Sequence, residues 1–203
     1  GLVCKAADAG YKLIIVIAGM SSDLRNQTQS RLDEGFVGQE SDAFLSGAPA
    51  RKIGVGKFSL PNDGMEHPPT FTSATKDFSK GSAEGLNISL GTLKTPVIFV
   101  IKKNQGILKN LIEWLRVLNT RNDRTRIREP MFLIDDEADN ASINTKSSRD
   151  EVSRINGQIR ELLELFERST YVGYTATPFA NIFIDPDSDD EMLGHDLFPR
   201  DFI

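Results

Sequence analysis

Residues 131–139 place an acidic box at the end of an apolar run. Met131-Phe132-Leu133-Ile134 reads as a buried strand and Asp135-Asp136-Glu137-Ala138-Asp139 follows it directly, so one strand delivers a cluster of carboxylates to a single sheet edge. Adjacent carboxylates repel one another, and such a cluster is tolerable where a cation or a cationic partner neutralises it. Mg²⁺, with its oxygen ligands and retained waters, is the usual cation. Further along, Tyr171-Val172-Gly173-Tyr174 is a second short apolar strand, ending in Thr175-Ala176-Thr177-Pro178. Carboxylates for a cation and for a water, with short hydroxyls on the next strand, are suited to hydrolysis of a nucleotide phosphate at the edge of a motor domain.

The rest of the chain supplies elements that position these boxes. Leu2 to Ala9 is a short helix stopped by Gly10, and Leu13-Ile14-Ile15-Val16-Ile17 is a continuous apolar run fit for a strand covered on both faces. Gly19 turns the chain, Ser22 or Asp23 caps a helix through about Glu34 with Leu24, Thr28 and Leu32 on one face, and Gly35 stops it. Residues 36–95 scatter Gly, Ser, Pro and Asp among short β-prone pieces, Ile53 to Phe58 and Thr70 to Ser73, and read as an elaborated insertion. Pro96 to Ile101 restores the buried-strand pattern. Ile107, Leu108, Leu111, Ile112, Leu115 and Leu118 then keep helical period. After the acidic box, Ser148-Arg149-Asp150-Glu151 has capping-box spacing, ahead of an apolar stripe of Val152, Ile155, Ile159, Leu162, Leu163 and Phe166. Alternating buried strands and amphipathic helices predict an α/β fold, a three-layer parallel sheet that binds ligands at the carboxyl ends of its strands. Both boxes fall at that edge.

Composition bounds the reading. At 203 residues, 39% hydrophobic and 26% charged, the chain fits one soluble domain, and its formal charge of −5 supplies no global pull toward nucleic acid. Cys4 is the only cysteine and His67 and His195 the only histidines, so no internal disulfide or Cys/His zinc site can form, and a reducing cytoplasm is the natural compartment. The longest apolar stretch, Leu13 to Ala18, is far short of the roughly 20 residues of a membrane span.

Four segments together carry a family resemblance: Leu2-Val3-Cys4-Lys5-Ala6-Ala7-Asp8-Ala9-Gly10-Tyr11, Leu24-Arg25-Asn26-Gln27-Thr28, Asp135 through Ser142, and Gly173-Tyr174-Thr175-Ala176-Thr177-Pro178-Phe179-Ala180-Asn181. They resemble the Z-one domain family, helicase-like proteins labelled as endonucleases and associated with bacterial restriction or phage defence. Asp136-Glu137-Ala138-Asp139 is similar to motif II of superfamily II helicases, the Walker B element or DEAD box, and Thr175-Ala176-Thr177 to their motif III. The resemblance implies part of a RecA-like motor domain that binds ATP with Mg²⁺. Asp136 would hold the Mg²⁺ through water and Glu137 would polarise the attacking water. Asp139, Thr175 and Thr177 would couple that site to motif III. Asp135 is a further candidate ligand, or else orients its neighbours or faces solvent.

The resemblance also implies contact with nucleic acid, DNA rather than RNA being expected. Arg25-Asn26-Gln27 corresponds to motif Ia, and Lys102-Lys103-Asn104 ends a core strand where motor domains grip the phosphate backbone. For each the plain alternative is a solvated loop or helix N-terminus. Arg116, Arg121, Arg124, Arg126 and Arg128 lack interleaved aromatics and read as a solvated connection. Asp185 to Asp190 imitates a calcium loop, but Asp190 stands where glycine is required, so an acidic loop is preferred.

Two expected parts are missing from the sequence. There is no G-x-x-x-x-G-K-[ST]: Gly56-Lys57 is followed by Phe58, and Arg51 lies five before Gly56. In relatives the Gly-Lys-Thr loop precedes the helix that here begins near Gly1, so the expectation is a fragment starting just after its P-loop, with the second motor domain and its arginine finger also outside and with no turnover of its own. It follows that strand 171–174 should keep one unpaired or substituted edge. The alternatives are a non-hydrolytic docking or nucleic-acid-binding module on a degenerate motor fold, and a metal-dependent endonuclease using the same carboxylates. No Glu-x-Lys element or His-rich ββα unit supports the last.

Overall fold

The computed structural model describes residues 1–59, 66–84, 90, 93–120, 126–138 and 146–175. Asp139, Thr177, Arg121, Arg124, His195 and the acidic stretch from Asp185 lie outside the described residues. Four strands form the sheet: β1 (Leu13–Ala18), β2 (Val97–Ile101), β3 (Met131–Asp136) and β4 (Ser169–Tyr174). They run parallel in the order β2-β1-β3-β4, with Leu13 opposite both Val97 and Met131. The fold is α/β, as the alternation of apolar runs and helical stripes predicts.

The central strands are apolar on both faces because both are covered. Alternate residues Leu13, Ile15, Ile17, Phe99, Ile101 and Leu133 join a core with helices α5 (Gln105–Thr120) and α6 (Lys146–Glu164). Their neighbours Ile14, Val16, Val100, Phe132 and Ile134 pack on α1 (Leu2–Asp8) through Val3 and Ala6, and on Val37. That is the three-layer arrangement. No described helix is long and apolar enough to cross a membrane.

Helix α2 (Ser22–Leu32) departs from its expected face. Leu24 is exposed, and the buried residues of the helix are Arg25 and Gln29. Ser21 is the cap, its side chain accepting from the Asp23 amide at 3.2 Å, one residue before the expected Ser22 or Asp23. The chain passes Gly35 and continues as a π-helical turn, Asp33–Val37, ended by Gly38 in the left-handed conformation (φ 79°). A polar helix face is buried because a polar segment encloses it. Thr72 donates to Gln29 at 2.7 Å and accepts from the Val100 amide at 2.9 Å, while Gln29 donates to Asp33 at 2.8 Å.

Residues expected as an insertion supply both core and edge. Phe71 and Phe78 are buried, Phe71 stacking on Phe99 with ring centroids 5.2 Å apart. Thr70 bridges Ile98 in parallel, and Pro69 O accepts from the Ile98 amide at 2.9 Å, so residues 69–72 satisfy the outer edge of β2. Gly54–Phe58 is a 3-10 turn rather than a β-prone piece. Smaller elements are α3 (Ser41–Ser46) and α4 (Lys80–Glu84). Helix α6 begins at Lys146, before the capping-box residues, and Ile155, Ile159 and Leu162 form its buried stripe. At the other side of the sheet β4 pairs with β3 alone among the described residues.

Asp33 gives this polar layer a pH signature. Burial pushes its carboxyl above the usual range, opposed by donors from the Ser41 hydroxyl and amide and from Gln29. A raised folded value means that the folded chain binds the proton more tightly than the unfolded one, so the linked stability is full below about pH 4 and is lost as pH rises through the raised value. The stability margin of the wild type over Asp33→Asn should therefore shrink as pH rises from about 4 toward neutrality. Thermal melts of both proteins across that range check it; a constant margin would remove Asp33 as a titrating group.

Candidate functional site

Parallel strands bring all their carboxyl ends to one edge, and the acidic box stands in the middle of it. Asp135 lies opposite Ile17 of β1 and Gly173 of β4, and Asp136 opposite Ala18 and Tyr174. Pleating then separates the two acids. Asp135 points inward and is 1% exposed, whereas Asp136 is exposed to solvent and Glu137 is half-buried.

The cation that neutralises Asp135 is a lysine. Lys103 Nζ stands 3.0 Å from Asp135 Oδ1 and donates to Oδ2 at 3.1 Å, and Lys103 itself is 4% exposed. Oδ1 has the ion pair but no hydrogen bond of proper geometry; Oδ2 also accepts from the Tyr171 hydroxyl at 3.1 Å. Burial pushes the Asp135 carboxyl up while Lys103 and Tyr171 hold it down, and burial beside Asp135 drives the Tyr171 phenol far above its usual value. Asp135 therefore neither faces solvent nor remains open to a metal. Of the roles expected for it, orienting its neighbours is the one its contacts allow.

Glu137 is the one non-glycine residue with positive φ among the described residues, at 59°. A glutamate pays about 1–2 kcal/mol for the left-handed region, and such outliers persist where the surroundings over-determine them. Its carboxylate packs over Gly19, itself at φ 63°, closely enough that a Cβ on Gly19 would stand 2.6 Å from Glu137 Oε2. Gly19→Ala should therefore both strain the turn after β1 and displace the carboxylate. A loss of about 1–2 kcal/mol in stability is expected, with a fall in any Glu137-dependent turnover that persists well below the melting temperature. Full turnover in that variant would show that Gly19 does not seat the carboxylate.

Candidate metal ligands reduce to the outer pair. Among the described residues no three Asp, Glu, His or Cys side chains converge as a metal centre built by protein alone. Mg²⁺ bound with a nucleotide needs only one or two carboxylates, since phosphates and water complete its octahedron. The exposed Asp136 at the strand end fits that requirement; Asp135, already paired, does not. Thr175 follows β4 at the same edge and is half-buried.

The nucleic-acid candidates divide sharply. Arg25 is enclosed: its guanidinium donates to the carbonyls of Ser73 at 2.7 Å, Ala74 at 3.2 Å, and Lys76 and Val100 at 3.3 Å, and to Asn26 Oδ1 at 2.5 Å. It clamps residues 73–76 onto α2 and is not presented to a phosphate. Lys103 is likewise committed. Asn104 caps α5, its Oδ1 accepting from the amides of Gly106 at 2.9 Å and Ile107 at 3.2 Å. Lys102 is half-buried, its ammonium 3.4 Å from Ser22 Oγ, and Gln27 is exposed. Only these last two remain suited to a backbone phosphate. Arg116 and Arg128 pair with Glu161 and Glu167 on the surface.

Neither protein-family models, curated proteins nor solved structures contain a match to this chain. The sequence reading gives Lys103 to the phosphate backbone rather than to Asp135 and assigns Gly19 and Tyr171 no site role, although one signal points to the buried pair. An Asp at the last buried position of an otherwise apolar strand demands a buried cation, and Lys103 follows a strand of the same edge.

Proposed function

We propose that this chain is part of an ATP-dependent nucleic-acid motor of the RecA-like, superfamily II type, in a Z-one-like protein of bacterial restriction or phage defence. The observation that carries the reading is Glu137, held in a left-handed conformation beside the exposed Asp136 at the carboxyl end of an interior parallel strand. In this reading Asp136 would hold the Mg²⁺ that accompanies the nucleotide. Bound Mg²⁺ would supply charge neutralisation at the phosphates. Glu137 orients a water against the γ-phosphorus and accepts its proton as the new P–O bond forms and the bond to the bridging β–γ oxygen breaks, releasing ADP. Thr175, with Asp139 and Thr177, couples that event to the neighbouring strand.

Partner contacts follow from the same placement. Lys102 on the segment after β2 and Gln27 on the exposed side of α2 would meet the phosphate backbone of the track, DNA being the expected one. Cleavage of a phosphodiester by these carboxylates is disfavoured, since Asp135 is spent on Lys103. The test is ATP hydrolysis by the full-length gene product with and without DNA or RNA, wild type against Glu137→Gln. Stimulated turnover lost in the variant supports the motor; no turnover in the wild type, or equal turnover in both, overturns it and favours a docking module.

A further inference from the structure

Lys103 makes a contact that pairing with Asp135 does not require. Its side chain leaves the end of β2, crosses the end of β1 and reaches β3, where Nζ also donates to the Glu137 carbonyl at 3.1 Å. Its backbone amide meanwhile donates to Gly19 O at 2.7 Å, on the turn over which the Glu137 carboxylate packs. The next atom pair completes the pattern. The Ala138 amide donates to Tyr174 O of β4 at 2.8 Å.

The Glu137 carbonyl and the Ala138 amide belong to one planar peptide group, so that plane is held from both sides, by the lysine and by β4. Fixing it leaves little freedom for the backbone of Glu137, whose left-handed φ would otherwise relax. A buried ion pair is on average no more stabilising than an apolar pair of the same volume, so stability alone does not account for a lysine here. We infer that Lys103, anchored by Asp135 and through it by Tyr171, is the positioning residue that orients the Glu137–Ala138 peptide and thereby places the Glu137 carboxylate. Its catalytic meaning rests on the motor reading above; the geometric claim does not.

The double variant Lys103→Met/Asp135→Leu tests this, because it removes both charges together and leaves neither buried alone. In the full-length gene product it should melt near the wild-type temperature. Hydrogen exchange at the Ala138 amide should accelerate about tenfold or more, with β1 amides such as Ile15 unchanged. The kcat for ATP should fall about 100-fold, as expected for a misplaced group, with KM nearly constant. Should the double variant not fold, Tyr171→Phe keeps the ring, removes only the bond to Asp135, and is expected to move exchange and kcat in the same direction by a smaller factor. A folded double variant with unchanged Ala138 exchange, or an unaltered Tyr171→Phe protein where the double variant fails, overturns the inference. If the wild type does not hydrolyse ATP, the motor reading falls alone, and accelerated exchange still establishes the positioning role.

Discussion

Replacing Glu137 by Gln is expected to lower nucleic-acid-stimulated ATP turnover of the full-length protein about 1000-fold. A positioned general base contributes about 10²–10⁴, and a factor of 10³ corresponds to about 4 kcal/mol of barrier. Gln keeps the length and shape of the side chain over Gly19 but cannot take the proton from water. In the motor reading KM for ATP and the melting temperature should hardly move, because Glu137 acts on the water rather than on the phosphates and the backbone turn is unaltered. Glu137→Gly provides a complementary measurement: it relieves the positive φ, so it should cost activity without costing stability. Wild-type rates in Glu137→Gln would be incompatible with the assignment of the base.

Arg25→Met should cost about 3 kcal/mol of folding stability, a fall of roughly 6–12 °C in Tm for a chain of this size. Met preserves most of the aliphatic stem but leaves the carbonyls of Ser73, Ala74, Lys76 and Val100 without their donor. It also removes the partner of Asp77, whose carboxylate lies 3.9 Å from Arg25 Nε. Burial pulls the guanidinium below its usual value, with Asp77 and Asp42 opposing, as expected for a charge kept in the interior by its partners. Arg25→Lys should recover little, since one ammonium cannot span the same carbonyls. The exposed Gln27→Ala should stay within about 0.5 kcal/mol. Chemical unfolding of the three variants is decisive: an Arg25→Met protein of wild-type stability but weakened nucleic-acid binding would restore Arg25 to the interface.

The difference between what could and could not be read from the residues follows from which interactions leave a periodic trace. Leu13–Ala18, Val97–Ile101 and Met131–Ile134 announce themselves because strands buried on both faces must be apolar throughout. The apolar stripes of α5 and α6 are equally plain. Helix α2 defeated the same logic: its buried residues are polar, and only the hydroxyls and carbonyls of residues 70–76, far along the chain, make that burial tolerable. The acidic box falls at the carboxyl edge of the sheet as its sequence implies, and the charge of Asp135 within it is met by Lys103, from beyond the end of another strand. That pairing depends on strand order and on which way each side chain of the pleat points, and neither is written locally.

The position of β1 has a consequence for how the chain assembles. It is formed near the start of the sequence but pairs with β2 and β3, which are made much later, and both of its faces are apolar. Parallel pairing over such separations is intrinsically slow, and an unpaired apolar strand invites association with other chains meanwhile. Refolding from denaturant should accordingly be slow and its yield should fall with protein concentration. The strand that comes to organise the sheet is, on the way there, its most vulnerable segment.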